Sequence, residues 1–246
     1  MELALKLGKK IPRPSFCTSR SKCPSPERLA RRQLVDRNNM HAVYEAKPRS
    51  YKCIKRVFDV VASTAALVAL SPVLLVSAMA IVMEDGLPVI YAAPREGKDE
   101  KPFRMYKLRS MYNDAEAKLQ ELMDQNEQTG PAFKLLDDPR ITRVGRFLRR
   151  MSIDELPQLV NIIQGDMSIV GPRAIQHTQE FTAYEKQRMV VKPGLTCYWQ
   201  VSGRARIDWD EWVELDLDYI QDMSVLTDLK LIAKTFGAVV SGEGSY

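Results

Sequence analysis

The sequence predicts a mostly helical α/β fold in which a small sheet accompanies amphipathic interfacial helices and a re-entrant membrane helix-break-helix. Three observations carry this. Val57 to Met83, "VFDVVASTAALVALSPVLLVSAMAIVM", is apolar apart from Asp59 and is interrupted at Ser71-Pro72. Two short stretches after it have strand character. The rest shows helical spacing of apolar positions, with basic residues on the opposite faces.

In chain order, residues 1–50 hold Pro12, Pro14, Pro24, Pro26 and Pro48 with scattered charge and little periodicity, as expected of a basic, largely disordered extension. Residues 1–56 contain 15 Lys/Arg and 4 Asp/Glu, so the overall charge of +5 comes from this end and the remainder is acidic. No aromatic interleaving or recognition motif accompanies the charge, so no nucleic-acid partner is expected. Met1–Lys10 alternates charged and apolar residues without the apolar core of a leader, so a cytoplasmic bulk is expected. Cys17, Cys23, Cys53 and Cys197 are too scattered for a zinc pattern, with His41 and His177 as the two histidines.

Residues 51–84 form the apolar segment. A helix of that length covers roughly 40 Å and can cross a bilayer. Pro72 removes a backbone hydrogen bond at the centre, and the Ser71 hydroxyl can bond back to the freed carbonyl. Both flanks are basic, which suits a segment that enters and leaves on one face. Asp59, one turn inside, requires a partner such as Lys55 or Arg56. A re-entrant hairpin is favoured, with a true crossing and a buried soluble helix as alternatives.

Residues 85–246 form the globular part. Leu87–Tyr91 and Phe103–Leu108 read as strands, the second placing Lys107 and Arg109 on one side. Asp114–Gln125 reads as a polar helix ended by Gly130-Pro131. In "DDPRITRVGRFLRRM", Ile141, Val144, Leu148 and Met151 share one face, with Arg140, Arg143, Arg146, Arg149 and Arg150 largely on the other. Such a helix suits an anionic membrane surface or core packing with a solvated basic face.

The stretch "FLRRMSIDELPQL" is ambiguous. Ser152 and Glu155 have capping-box spacing, but a helix capped by Ser152 would put Pro157 at its fifth position. A start near Asp154 keeps the proline in the first turn and sets Asp154 at a helix N-terminus, where its ionised form and other anions are favoured. Further on, Gly165-Asp166 and Gly171-Pro172 are turns, the second projecting Arg173. Trp199, Trp209 and Trp212 suit either a membrane-facing surface or a core. Val225–Val240 reads as a packing helix. No P-loop, G-x-G-x-x-G or H-E-x-x-H is present. Adjacent acids among arginines beside an apolar hairpin suggest phosphoryl transfer or phosphate-ester cleavage on a lipid; a membrane scaffold is the non-enzymatic alternative.

Taken together, "KRVFD" with Ser71-Pro72, "FRMYKLRSM", "DDPRITRVGRFLRRMSIDELPQLVNIIQGDMSIVGPR", "KPGLTCYWQVSGR" and the terminal "LDLDYI…DLKLIAKT" resemble the bacterial sugar transferase family over roughly residues 52–246. These monotopic phosphoglycosyl transferases move a hexose-1-phosphate from a UDP-sugar to undecaprenyl phosphate, starting polysaccharide or glycoconjugate assembly. The resemblance implies a hairpin in one leaflet, at the cytoplasmic face of the bacterial inner membrane among its lipids. It implies Asp154 as nucleophile, Glu155 as the residue that assists the polyprenyl phosphate in the second step, and Mg²⁺ bound through Asp154 and the phosphates. Lys107, Arg149, Arg173 and Arg204 would bind substrate phosphate, and a homodimer is compatible with it. Three positions depart from the family pattern: Ala93 in "APREG", Cys197 after "PGLT" and Ala174 in "GPRA". A hairpin broken at Ser71-Pro72 should hold both ends in the cytoplasm. Cysteine-accessibility labelling is expected to find positions before Lys55 and after Glu84 on the same side, and opposite sides would mean a crossing.

Overall fold

The structure is a computed structural model; it describes residues 39–122, 135, 138–176, 181–202 and 207–241, which lie in the compact unit Asn38–Tyr246. The elements run α1 (Met40–Glu45), α2 (Arg49–Ala69), α3 (Ser71–Asp85), β1 (Ile90–Glu96), β2 (Pro102–Leu108), α4 (Ala115–Leu122) and α5 (Arg143–Arg150). A single 3-10 turn, Ile153–Glu155, leads to α6 (Gln158–Gln164), β3 (Ser168–Val170), β4 (Ile175–Gln176) and α7 (Ala183–Lys186). The chain closes with a 3-10 turn at Gln187–Val190, β5 (Gly194–Thr196), α8 (Tyr198–Val201), α9 (Trp209–Asp222) and α10 (Val225–Ser241). The mostly helical α/β fold with small sheets is as the sequence predicts. The end of the basic extension is structured: Met40 in α1 is buried, and its N–H donates to Gln187 Oε1 at 3.0 Å.

The apolar segment is a helix pair bent by 59°, and among the described residues no single helix is long and apolar enough to cross a membrane. The bend follows from Pro72. Placed in the first turn of α3, its missing N–H costs little there, but it deprives the Val68 carbonyl of a donor. The Ser71 hydroxyl donates to that carbonyl at 2.8 Å. Large apolar side chains on both arms face outward, with Val61 62%, Val68 69%, Val76 66% and Met83 78% exposed.

Charged residues near the start of α2 attach the hairpin to the globular part. Lys55 pairs with Asp228 of α10 at 2.9 Å, and the same carboxylate accepts the hydroxyls of Tyr51 at 3.0 Å and Tyr219 at 2.9 Å. Arg56 donates to the Ile162 and Ile163 carbonyls at 2.6 and 2.8 Å, closing the C-terminal end of α6, where a cation also meets the helix dipole. The partner of Asp59 differs from the expected Lys55 or Arg56. Its buried carboxylate accepts the Ser168 hydroxyl at 2.7 Å and the Ile169 N–H at 3.0 Å, which anchors β3.

The sheet order is β2-β1-β4, all antiparallel, with Tyr91 opposite Lys107 and Arg95 opposite Gln176; β3 and β5 form a separate parallel pair. Both predicted strands exist, but the first is Ile90–Glu96, later than expected. Ala93 and Met105 from the sheet pack on Leu159, Ile162 and Met167, with Ala66 and Leu67 of the hairpin against them. A second cluster joins Ile81 of α3 to Leu108 and Leu148. The core thus fixes α3, β2 and α5 around one point. Arg109, expected beside Lys107, lies beyond the end of β2; it donates to the Asp85 and Gly86 carbonyls at 3.0 and 2.7 Å and closes α3.

The polar helix expected over Asp114–Gln125 is Ala115–Leu122, and Gly130-Pro131, expected to end it, lies outside the described residues. Trp212 is buried, stacked on the half-buried Trp199 at 4.6 Å and edge-on to the half-buried Trp209 at 5.4 Å, so the three tryptophans pack on one another around a core position. Asp59→Ala is expected to lower stability by about 2 kcal/mol, since two donors to a charged group lose their acceptor. The unfolding midpoint of the detergent-solubilised protein measures this, and Asp59→Asn, which keeps an acceptor, should fall between.

Candidate active site

The two acids of "SIDEL" sit on the 3-10 turn between α5 and α6. This corrects both helix-start readings of the stretch. Ser152 does not cap: at φ 55° and ψ 21° it is the left-handed residue that ends α5, a place usually taken by Gly or Asn. α6 begins after Pro157, and Asp154 is not at an α-helix N-terminus. Successive side chains on a 3-10 turn diverge by about 120°, so Asp154 and Glu155 face different partners.

Glu155 is clamped. Its Oε1 accepts Lys107 Nζ of β2 at 3.0 Å and an Arg173 guanidinium nitrogen at 3.1 Å. Burial pushes the Glu155 carboxyl up, but the charges of Lys107 and Arg173 outweigh it and hold it at about 2. Asp154 is only 7% exposed, and no described residue donates a hydrogen bond to its carboxylate. Burial raises its pKa, against the pull of Lys107, Arg149 and Arg173, and the neighbouring Glu155 charge raises it further. The expectation that a helix dipole would favour its ionised form therefore fails; any such support comes from the three cations.

Each cation is placed by local structure. Arg149 leaves the last turn of α5, where its Nε donates to Ser110 Oγ at 2.8 Å. Thr142 caps α5 by accepting the Gly145 N–H at 2.8 Å, and Glu84, at the end of α3, accepts the N–H groups of Arg143 and Val144 at 2.7 and 2.9 Å. Gly145 lets α5 approach closely, since a Cβ there would lie 2.0 Å from the Ser110 carbonyl oxygen. Arg173 follows the Gly171-Pro172 turn. A Cβ on Gly194 would lie 2.1 Å from the Gly171 nitrogen, so glycine at both positions allows β3 and β5 to meet.

The structure brings together Asp154, Glu155, Lys107, Arg149 and Arg173. Arg204 lies outside the described residues, and Ser71 and Pro72 belong to the hairpin bend. Sequence reasoning missed three neighbours. Ser110 orients Arg149, and Trp199 lies under the Arg173 guanidinium with its ring centre 5.3 Å away. Arg95, the arginine of "APREG", has a buried Nε without a hydrogen-bond partner and is close enough for Arg173 to lower its pKa, after burial itself. The signal for Arg95 and Ser110 was their place inside stretches already singled out. Cys197, a departure from the family pattern, is buried, which pushes its thiol up to about 12 and keeps it a neutral packing group.

Among the described residues no three His, Cys, Asp or Glu gather into a metal cage. The arrangement nevertheless fits Mg²⁺, which commonly binds one or two carboxylates together with substrate phosphates and water. Asp154 offers a carboxylate that no described residue bonds, while one oxygen of Glu155 is taken by Lys107 and Arg173.

Paired acids ringed by cations thus lie beside a broken apolar hairpin. The chain belongs to the bacterial sugar transferase family, whose model matches residues 50–242. It is 45% identical over 167 residues to galactosyl transferase CpsE of Streptococcus agalactiae serotype III, an alignment covering 67% of this chain and 37% of that one. It is 41% identical over 199 residues to exopolysaccharide production protein ExoY of Sinorhizobium fredii, covering 78% and 88%. It is 40% identical over 205 residues to undecaprenyl-phosphate galactose phosphotransferase of Salmonella typhimurium, covering 80% and 43%. The chain thus spans about two fifths of the first and third of these relatives and most of the second.

Gly145→Ala is expected to lower stability by about 1–3 kcal/mol, because the backbone of Ser110 must move. The unfolding midpoint checks this; no change would mean that α5 lies farther from Ser110.

Proposed function

We propose that this chain is a phosphoglycosyl transferase that moves a hexose-1-phosphate from a UDP-sugar to undecaprenyl phosphate, releasing UMP. The observation that carries the reading is the contrast between the two acids. Glu155 is bound to two cations, whereas the adjacent Asp154 is buried, without a hydrogen-bond donor among the described residues, and flanked by Lys107, Arg149 and Arg173. A carboxylate so placed is a nucleophile held ready for an electron-poor phosphorus.

In the first step an Asp154 oxygen attacks the phosphorus bonded to the sugar. The bond from that phosphorus to UMP breaks, and a phosphosugar remains on Asp154. In the second step an oxygen of undecaprenyl phosphate attacks the same phosphorus, freeing the Asp154 carboxylate and giving the lipid diphosphosugar. Lys107, Arg149 and Arg173 offset the charge that gathers on the phosphate oxygens. Mg²⁺, held by Asp154 and the diphosphate, would supply the positive charge that lets the anions approach.

Glu155 helps the acceptor phosphate by holding Lys107 and Arg173 in place. A phosphate monoester, with its second pKa near about 6, needs little proton removal at neutral pH. A carboxyl held at about 2 is accordingly a better electrostatic anchor than a base.

The hairpin supports a membrane setting. Its outward apolar residues would face acyl chains, and the basic residues at its two ends would meet anionic headgroups. The proposed location is the cytoplasmic face of the inner membrane, where the lipid phosphate and a soluble nucleotide sugar can meet.

The test is UMP release from a panel of UDP-hexoses with Mg²⁺, with and without undecaprenyl phosphate, together with intact mass. Wild type is expected to show a phosphohexose adduct and lipid-dependent turnover. Asp154→Asn should lack the adduct and lose at least about 10³-fold in rate, as loss of a nucleophile does. Equal UMP release by the variant would remove Asp154 from the mechanism.

A further inference from the structure

Arg188 and Asp216 form an ion pair whose side chains are 1% and 0% exposed, outside the group of residues that meets substrate in the proposed reaction. Such pairs add little stability. Desolvating both charges offsets their attraction, and well-packed apolar residues often replace them without loss. The contacts of this pair point instead toward Arg173. One Arg188 guanidinium nitrogen donates to the Arg173 carbonyl at 3.0 Å, its one backbone acceptor among the described residues.

A second path reaches the other end of Arg173. Its guanidinium lies 5.3 Å from the centre of the Trp199 ring, Trp199 stacks on Trp212 at 4.6 Å and 17°, and the Arg188 guanidinium is 5.3 Å from the Trp212 ring centre. Trp212 and Asp216 are one turn apart on α9. The buried pair therefore contacts Arg173 at its backbone directly and at its side chain through two stacked rings.

Arginine has a long side chain with substantial rotamer entropy, and a phosphate clamp is useful only when that chain is already in place. Glu155 alone cannot do this: it holds the tip of a side chain that is 30% exposed, at a point where an incoming phosphate competes. We propose that the Arg188–Asp216 pair and the Trp199–Trp212 stack form a mount that positions Arg173 for the substrate diphosphate, with Arg188 as a positioning residue. This rests on the phosphate-binding role assigned above to Arg173. It departs from a plain packing role because it predicts coupling to Arg173 in particular.

The experiment uses the full chain in lipid nanodiscs. The variant is Arg188→Met/Asp216→Leu, which removes both charges and leaves neither unpaired. Arg188→Lys, which keeps the charge but lacks the planar guanidinium that lies over the Trp212 ring, replaces it if that variant does not fold. The first readout, hydrogen exchange without ligand, covers the Gly171 and Gly194 amides, which bond the Thr196 and Pro172 carbonyls across the β3–β5 junction. Exchange there should quicken about 10-fold, within the coupling range of residues in contact, with the rest of the core unaffected. The second readout is UDP affinity. It should weaken about 10-fold in the charge-free variant, and adding Arg173→Ala should weaken it no further than Arg173→Ala alone.

Unchanged exchange, or losses that simply add in the combined variant, would overturn the proposal. Should UDP fail to bind the wild type, the nucleotide-sugar reading falls, while the exchange result still decides whether Arg188 holds the Arg173 turn.

Discussion

The clamp on Glu155 is the constraint around which the site is assembled. Two adjacent carboxylates taken out of water repel each other and lose hydration, and an effective dielectric near about 20 makes each charge contact worth several-fold more than in bulk water. They are tolerable only if cations are delivered from elsewhere. Lys107 comes from β2, Arg149 from α5 and Arg173 from the turn after β3, so the 3-10 turn holding the acids becomes the meeting point of three elements. Glu155 takes the direct contacts, which leaves Asp154 buried and without a donor among the described residues. An asymmetry in partners, set by the direction each side chain takes from the turn, separates two acids that are neighbours in sequence.

The same logic explains how the bent apolar hairpin is joined to the globular part. Apolar contact with the hairpin would compete with lipid and has no direction. Three charged residues within five positions of α2 supply direction instead: Lys55 reaches α10, Arg56 reaches the end of α6, and Asp59 reaches β3. Each makes a directed polar contact with a different element, so the angle at which the hairpin leaves the domain is specified by hydrogen bonds. At the other arm, Glu84 caps α5 and Arg109 closes α3. The helix that carries Arg149 is thus set by the point where the hairpin ends, which couples the apolar hairpin to the paired acids.

Glycine enters at two places where backbone must touch backbone. Gly145 brings α5 against Ser110, and the Gly171–Gly194 approach brings β3 against β5. One positions Arg149 and the other Arg173. The cations are therefore set by packing that lies behind them, and the buried Arg188 and stacked tryptophans continue that support farther from solvent.

The sequence by itself determined the elements whose cause is local. Pro72 bends an apolar helix wherever it lies, the Ser71 hydroxyl is within reach of the carbonyl that the proline frees, and alternation in "KPFRMYKL" makes a strand. The ordered motifs also carried the membership in the family and the candidates Asp154, Glu155, Lys107, Arg149 and Arg173. Interactions that span the chain decided the rest. Spacing alone offered Ser152 as a helix start, because capping preferences act over three residues, whereas the observed turn also accommodates a left-handed end to α5 and the grip of Lys107 and Arg173 on Glu155. Likewise Asp59 found Ser168 and Ile169 rather than its basic neighbours, Arg109 closed a helix instead of lining the site, and Trp212 turned inward. Charges act through space, over distances fixed by how helices and strands meet, so the partner of a buried charge can be known only once the chain has folded.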